Sequence, residues 1–432
     1  MPGKGRIERR RAKSIIENQK SKIENIMASL KGVNITRGKI GPSTIDNEDG
    51  ICGLLASGEE MDTVKLMCMA DLEALGITEE YDVKNHCAVY RHVSEFFRMA
   101  GEGNILYLKT YKGTQESVFA DDGPAERIIA DSNGEIRTLA VAHTPGAEAE
   151  SVNISALAAK AQAFYDWTFE TFRPCQVVLE YNGMKGDTAS ATDDLKNLKV
   201  GSSELDAFKV SVCVGQDYAY ASQFSDARRT MADVGTMLGC ISAKAVNENI
   251  GEVGTGNIAD AAKGKWTVAG LSNGKKISEW DRQLETLDDH GFIFAISYAG
   301  TAGYFWNNDY TCTKAVKDKD GYLNECTISY GRVLDKCVRG LRKALLPYVK
   351  STQPVDPQTG KLPQATVAYF EAVGDGVFEN MIAQGQISAG RTTVDANSDL
   401  LVSPRELKVS FVVVPTGCID EIKGTINLKT NL

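Results

Sequence analysis

The sequence predicts an α/β fold of mixed α+β character: a multidomain chain with an α/β core and extended β-strand arms at both its N- and C-terminal ends. Three observations carry this. Short apolar runs alternate with amphipathic stretches of helical length over much of the chain. The 432 residues suffice for two or three domains, each with its own core. Both ends hold β-prone runs, the glycine-bounded "GVNITRGKIG" (Val33, Ile35, Ile40) and the closing stretches 407–415 and 421–428.

In chain order, residues 1–31 come first as a basic helical extension. Nine basic residues there face three acidic ones, and Ile16, Ile23, Ile26, Met27 and Leu30 recur at helical spacing. Such a segment is either an arm for an acidic neighbour or a stretch upstream of a natural start at Met27. Residues 32–50 are the N-terminal strand arm, 51–285 an α/β N-terminal and middle region, 286–406 a C-terminal domain, and 407–432 the C-terminal strand arm. Within the middle region, 51–57 reads as a buried strand and 63–75 as a helix stopped by Gly76. A helix around Val89, Val93, Phe96, Phe97 and Ala100 precedes a strand at 104–109. A helix at 155–172 is followed by strands at 176–181 and 208–214, a helix at 231–246 and a strand at 292–298. Residues 183–206 and 247–280, rich in Gly, Asp, Asn and Lys, read as surface loops.

Composition narrows the function. The chain carries 48 basic and 57 acidic residues, a formal charge of −9, which argues against nucleic acid as the main partner. Its ten cysteines lack any Cys-x-x-Cys pairing and several sit in apolar runs, as reduced thiols do. The most apolar stretch, 292–306, is too short to cross a bilayer, and the first residues lack the apolar heart of a secretory signal. No membrane role is expected, and synthesis in a cytoplasm is.

Chemistry-bearing patterns are weak. Gly251, Gly254 and Gly256 resemble a phosphate loop, yet no Lys-Ser or Lys-Thr follows and no long helix opens behind them. The histidines His86, His92, His143 and His290 have no cysteine at metal spacing. Asp288 and Asp289 beside His290 read as a turn before a strand, and Gly-x-Ser-x-Gly does not occur. No catalytic, metal or cofactor residue is expected.

From Gly291 the text runs "GFIFAISYAGTAGYFWNNDYTCTKAVKDKDGYLNECTISYGRVLDKCVRGLRKALLPYVKSTQPVDPQTGKLP", and it closes on "MIAQGQISAG" and "LKVSFVVVPTGCIDEIKGTINL". Together with "GTMLGCISAKAVNENIGEV" and "DLEALGITEEYD" upstream, this order resembles the contractile tail sheath proteins of bacteriophages and related injection systems. The resemblance runs from about Met27 onward, and the basic extension before it is a departure. It implies a structural protein, not an enzyme. Such a subunit forms a helical homopolymer of stacked, hexameric rings around an inner tail tube protein, meets baseplate and tail terminator proteins, and contracts to drive the tube through an envelope. It uses no cofactor, contacts no nucleic acid or membrane, and resides in a virion tail or injection particle assembled in a bacterial host cytoplasm.

The resemblance also assigns the ends. Val33, Ile35 and Ile40 at the start and Phe411, Val413, Ile422, Ile426 and Leu428 at the finish are expected to be strand arms exchanged between subunits. From the residues alone, the favoured reading is that both ends close the chain's own sheet. In the helix expected at 329–349, Leu334, Val338, Leu341, Leu345 and Tyr348 form an apolar stripe. Arg332, Lys336, Arg339 and Lys343 form a basic one, expected either to face an acidic tube or simply to be solvated. The alternatives are a nucleotide-binding α/β enzyme and another phage structural protein, of capsid or baseplate.

Overall fold

A computed structural model describes residues 48–145, 152–186, 188, 192–280 and 282–429. The basic extension and the arm residues Val33, Ile35 and Ile40 lie outside the described residues.

Six strands form the main sheet: β1 (Cys52–Ser57), β2 (Val64–Leu66), β3 (Leu106–Tyr111), β4 (Thr138–Ala142), β5 (Gln176–Glu180) and β6 (Val210–Cys213), in the spatial order β2-β3-β1-β4-β5-β6. All pairs are parallel except β2 with β3. The parallel strands are mostly apolar and almost wholly buried, even at polar positions such as Lys109, Thr110 and Ser211, as a sheet covered on both faces requires. The main helices of this region are α1 (Val89–Ala100), α2 (Pro124–Asp131), α3 (Ile154–Glu170) and α4 (Val234–Ala243). The chain winds from β1 out to β3 and then back past β1 to β4. Right-handed crossovers therefore place helices on both faces, a doubly wound α/β sheet.

Helices α1 and α4 pack together at backbone distance. α4 is apolar nearly all round and almost wholly buried. A methyl group on Gly239 would sit 2.6 Å from the Phe96 carbonyl oxygen, and one on Gly235 would collide with the His92 carbonyl. Only glycine permits this crossing. Beside it lies a buried charge cluster. Arg91 donates from Nε to Asp233 (3.0 Å) and from Nη2 to Asp217 (3.2 Å), with Glu95 at 3.6 Å from Nη1. Arg98 also grips Glu95. Burial alone would raise the Glu95 pKa, but Arg91, Arg98 and Lys265 outweigh it and hold the carboxyl down at about 2.

Several boundaries differ from expectation. The segment 63–75 is not one helix: Val64–Leu66 extends as edge strand β2, and only Met69–Ala74 coils, with Gly76 beyond it at positive φ. The strand expected at 292–298 shrinks to Ala295–Ile296 paired with Phe305–Trp306, plus a parallel bridge from Ile293 to Cys213. The loop stretch 247–280 contains Ala269–Leu271, sandwiched between Gly215–Asp217 and Lys275–Lys276. Residues expected to open the C-terminal domain, Leu287, Phe292 to Ala295, Trp306 and Cys312, belong to the main core.

Two smaller cores follow, built from α5 (Ile328–Leu345), α6 (Gln364–Ala383), β7 (Ile387–Val394) and β8 (Val409–Pro415). Strands β7 and β8 form an antiparallel pair with α6 against it. Gly390 and Gly374 let that helix approach, because a methyl at either would collide with Phe378 or Thr392.

Candidate functional site

The C-terminal end presents the most unsatisfied apolar surface of the described chain. Past Pro415 no helix or strand is formed through residue 429. Ile419, Ile422, Ile426 and Leu428 are 76%, 86%, 94% and 101% exposed. Phe411 and Val413 lie instead within β8, paired to Thr392 and Gly390 of β7. The arm expected at 407–432 thus divides: its first half closes the chain's own hairpin, and its second half leaves the body.

The hairpin's two edges are not alike. On β7, the backbone N–H groups of Thr392 and Val394 donate to Asp375 (2.6 Å) and Glu371 (3.1 Å) of α6, so this edge is partly covered. On the other side β8 has no strand beyond it among the described residues, and Val412 and Val414 are half exposed. An edge with no neighbouring strand is a template for one from another chain.

The root of the tail is tied down by asparagines. Asn247 donates to the Gly385 carbonyl and to the Thr416 hydroxyl, both at 3.1 Å. Asn249 donates to Asn308 (2.7 Å) and Asp309 (3.0 Å). Burial pushes the Asp309 pKa up to about 6, against hydrogen bonds from Ser329.

The basic residues of α5 do not form one exposed stripe. Arg332 is buried, and its guanidinium donates to the carbonyls of Lys244 (3.0 Å), Ala245 (3.1 Å) and Asp49 (3.4 Å). Lys336 and Arg339 pair with Asp49 at 2.6 and 2.9 Å. Of these four expected stripe residues, Lys343 alone is exposed. The apolar stripe shifts too: Val333, Cys337 and Leu341 pack inward, whereas Leu334 is exposed. The inward arc of α5 must carry both the apolar contacts and the buried polar anchors, and the helical period alone does not reveal that division. A second anchor, invisible in sequence, lies on the same helix. The buried Lys209 amine meets Asp335 (2.8 Å), the Gly331 carbonyl (3.1 Å) and Glu325, while the Tyr165 hydroxyl donates to Asp335 (2.8 Å).

A cavity of about 790 Å³ opens at the carboxyl ends of β1 and β4, where ligands bind in doubly wound folds. His86 and Asp226 pair across its lining at 3.0 Å. In a nucleotide site the adjacent helix N-terminus would receive phosphate. Here the N-terminus of α1 already holds a carboxylate: Asp82 accepts the N–H groups of Tyr90 (3.1 Å) and Arg91 (3.0 Å). The Gly251–Gly256 segment is a turn closed by the Gly256 N–H on the Glu252 carbonyl. Asp288 accepts from Asn307 and Tyr310 at 2.8 and 2.9 Å, which gives it a structural occupation. Among the described residues no group of His, Cys, Asp and Glu is arranged to hold a metal, and no helix is long and apolar enough to cross a membrane.

Comparison with known proteins follows this division of the chain. Among curated proteins none matches significantly. A solved chain from the cryo-EM structure of the anti-feeding prophage baseplate, 6-fold symmetrised, shares the fold with a TM-score of 0.54 at 14% identity, over 93% of this chain and 99% of that one. Two family profiles match in sequence, the DUF2586 N-terminal domain over residues 30–310 and the DUF2586 C-terminal domain over 326–432. The boundary between them precedes α5, where the main core gives way to the smaller ones, and the chain belongs to the DUF2586 family.

Proposed function

We propose that this chain is a structural subunit of a contractile injection particle that polymerises by exchanging strands, and that the polymer is the sheath around an inner tube. The observation that carries the reading is the tail at 416–429, which leaves the body with four fully or largely exposed branched apolar side chains. Burying each is worth about 1.5–3 kcal/mol. Ordering an extended segment costs on the order of 1–2 kcal/mol per residue, so side-chain burial needs backbone pairing beside it. The open edge of β8 supplies such a partner on a second copy. A contact between unlike patches of identical chains repeats from copy to copy, giving a ring where the rotation closes and a helix where it does not.

The fold shared with a chain of the anti-feeding prophage baseplate supports a place in such a particle. It also favours a second reading, a baseplate component, because that neighbour was solved within a baseplate. The doubly wound sheet is read here as a scaffold and not as a nucleotide enzyme, since Asp82 occupies the anion position at α1. Residues outside the described part, Val33, Ile35 and Ile40, are proposed to add the complementary strand. Arg332, Lys336 and Arg339 are engaged within the chain, so we do not assign the tube contact to them.

Electron microscopy of the purified protein, with and without residues 416–432, tests the proposal. Long hollow cylinders or stacked rings that vanish on truncation, with the monomer still folded, are expected. Closed single rings that do not stack would favour the baseplate reading, and a strictly monomeric full-length chain would overturn both.

A further inference from the structure

The three basic residues of α5 that turn inward converge on one acidic residue, at a place the fold makes special. Asp49 lies in the Glu48–Gly50 turn, the first described element, from which the chain leads back to residues 1–47. Its carboxylate takes Lys336 on one oxygen and Arg339 on the other, at 2.6 and 2.9 Å, with all three side chains about four-fifths buried. Arg332 lies over its carbonyl and is itself buried, with only backbone carbonyls as hydrogen-bond acceptors. Ser242 holds the next residue by donating to the Gly50 carbonyl at 2.7 Å.

The same stretch of chain then reaches the other exit. Arg332 bonds the carbonyls of Lys244 and Ala245, and two residues on Asn247 bonds Thr416 at the root of the tail. Residues 242–249 therefore touch both the point where the N-terminal segment enters the body and the point where the C-terminal tail leaves it.

We propose that Asp49 is the pin of a joint, formed by Arg332, Lys336 and Arg339 of α5 with the 242–249 segment, that fixes the departure points of the two chain ends relative to each other. The joint stands on this geometry alone; its use, to hold both exchanged strands in register with one rigid body, rests on the assembly reading above. Burial would raise the Asp49 pKa, but Lys336 and Arg339 outweigh it and keep the carboxyl below its ordinary value, as a pin charged at neutral pH requires. Without Asp49 the buried Arg332 would lose a nearby acidic group that favours its charged form, and an uncompensated buried charge is costly.

Hydrogen exchange followed by mass spectrometry on the full chain tests the joint without requiring polymer. In Asp49→Asn, amides of 48–52, of 242–249 and of 411–414, the end of β8 that leads into the tail root, should exchange about tenfold faster or more, a loss of about 1.4 kcal/mol of local protection. Amides of β4 and β5 should be unchanged. Faster exchange confined to 48–52, or no change, would overturn the joint. Should Asp49→Asn fail to fold, the pair Lys336→Met with Arg339→Met interrogates the same contacts and must give the same pattern. Assembly is then scored separately. If the wild type polymerises and the variant with a loosened joint polymerises equally well, the joint has no role in assembly. If the wild type does not polymerise, the functional reading fails while the exchange data still judge the joint.

Discussion

Replacing Lys209 by methionine removes a fully buried cation and keeps the length of its stem, so nearly all the loss is electrostatic. The amine serves Asp335, Glu325 and the Gly331 carbonyl, and with them it fastens α5 to the main sheet. Breaking a buried pair from one side costs about 3–5 kcal/mol, because the other charge stays behind. An independent bound agrees. A carboxyl group without its cation can escape by taking up a proton, which from an ordinary pKa near 4 costs about 4 kcal/mol at pH 7. Glu325, whose side chain is 19% exposed, can recover some hydration; burial already pushes its pKa up even with Lys209 present. The expected loss is therefore about 3–4 kcal/mol at pH 7, shrinking by about 1.4 kcal/mol for each pH unit below that. Urea denaturation read by tryptophan fluorescence at pH 5, 6 and 7 measures it. Adding Asp335→Asn should cost less than the two single losses together. A loss under about 1 kcal/mol, or one independent of pH, would refute the anchoring argument.

Gly235→Ala should destabilise the chain by several kcal/mol or prevent folding, since the added methyl meets the His92 carbonyl and α1 must move; Gly376→Ala on α6, where nothing lies nearby, should cost almost nothing. Burial raises the Glu180 pKa to about 8, so the folded chain holds a proton that the unfolded chain releases near its ordinary value of 4.5. Stability from this group is thus fully present below pH 4.5 and is lost as pH rises towards 8, and Glu180→Gln should flatten that part of the stability–pH curve in thermal melts. Within α5, Arg332→Met should be costly, about 2 kcal/mol or more, because three carbonyls, that of Lys244 buried and those of Ala245 and Asp49 partly so, lose their donor. Lys343→Met on the exposed face should stay within about 0.5 kcal/mol. Equal effects of the two would restore the solvated-stripe reading.

The α/β class, α1, α3 and strands β1, β3, β5 and β6 were legible because buried runs and a clean helical period are local properties, whereas β4 (Thr138–Ala142) was missed. The segment 63–75 was not, since Val64, Lys65 and Leu66 suit a strand as well as a helix and the decision falls to pairing with β3. Buried charges were illegible for a different reason. Arg91 finds Asp217 and Asp233 at separations of 126 and 142 residues, and in sequence it simply reads as the polar side of an amphipathic helix. The α5 stripe misled in the same way: Arg332, Lys336 and Arg339 share a helical face with Lys343, but their acceptors lie at 49 and 244–245. At the C-terminus both sequence readings have a counterpart, with 409–415 in the chain's own hairpin and 416–429 unpaired. No periodicity distinguishes those two β-prone runs; the fold provides β7 as partner for only one of them.

The central claim is that the tail at 416–429 joins one copy to the next. Its most direct test is negative-stain microscopy and sedimentation of Ile422→Asp with Ile426→Asp, two changes at side chains that touch almost nothing within the chain. A monomer with unchanged melting temperature is expected, with no rings or cylinders under conditions where the wild type forms them. Normal polymers from this variant would contradict it.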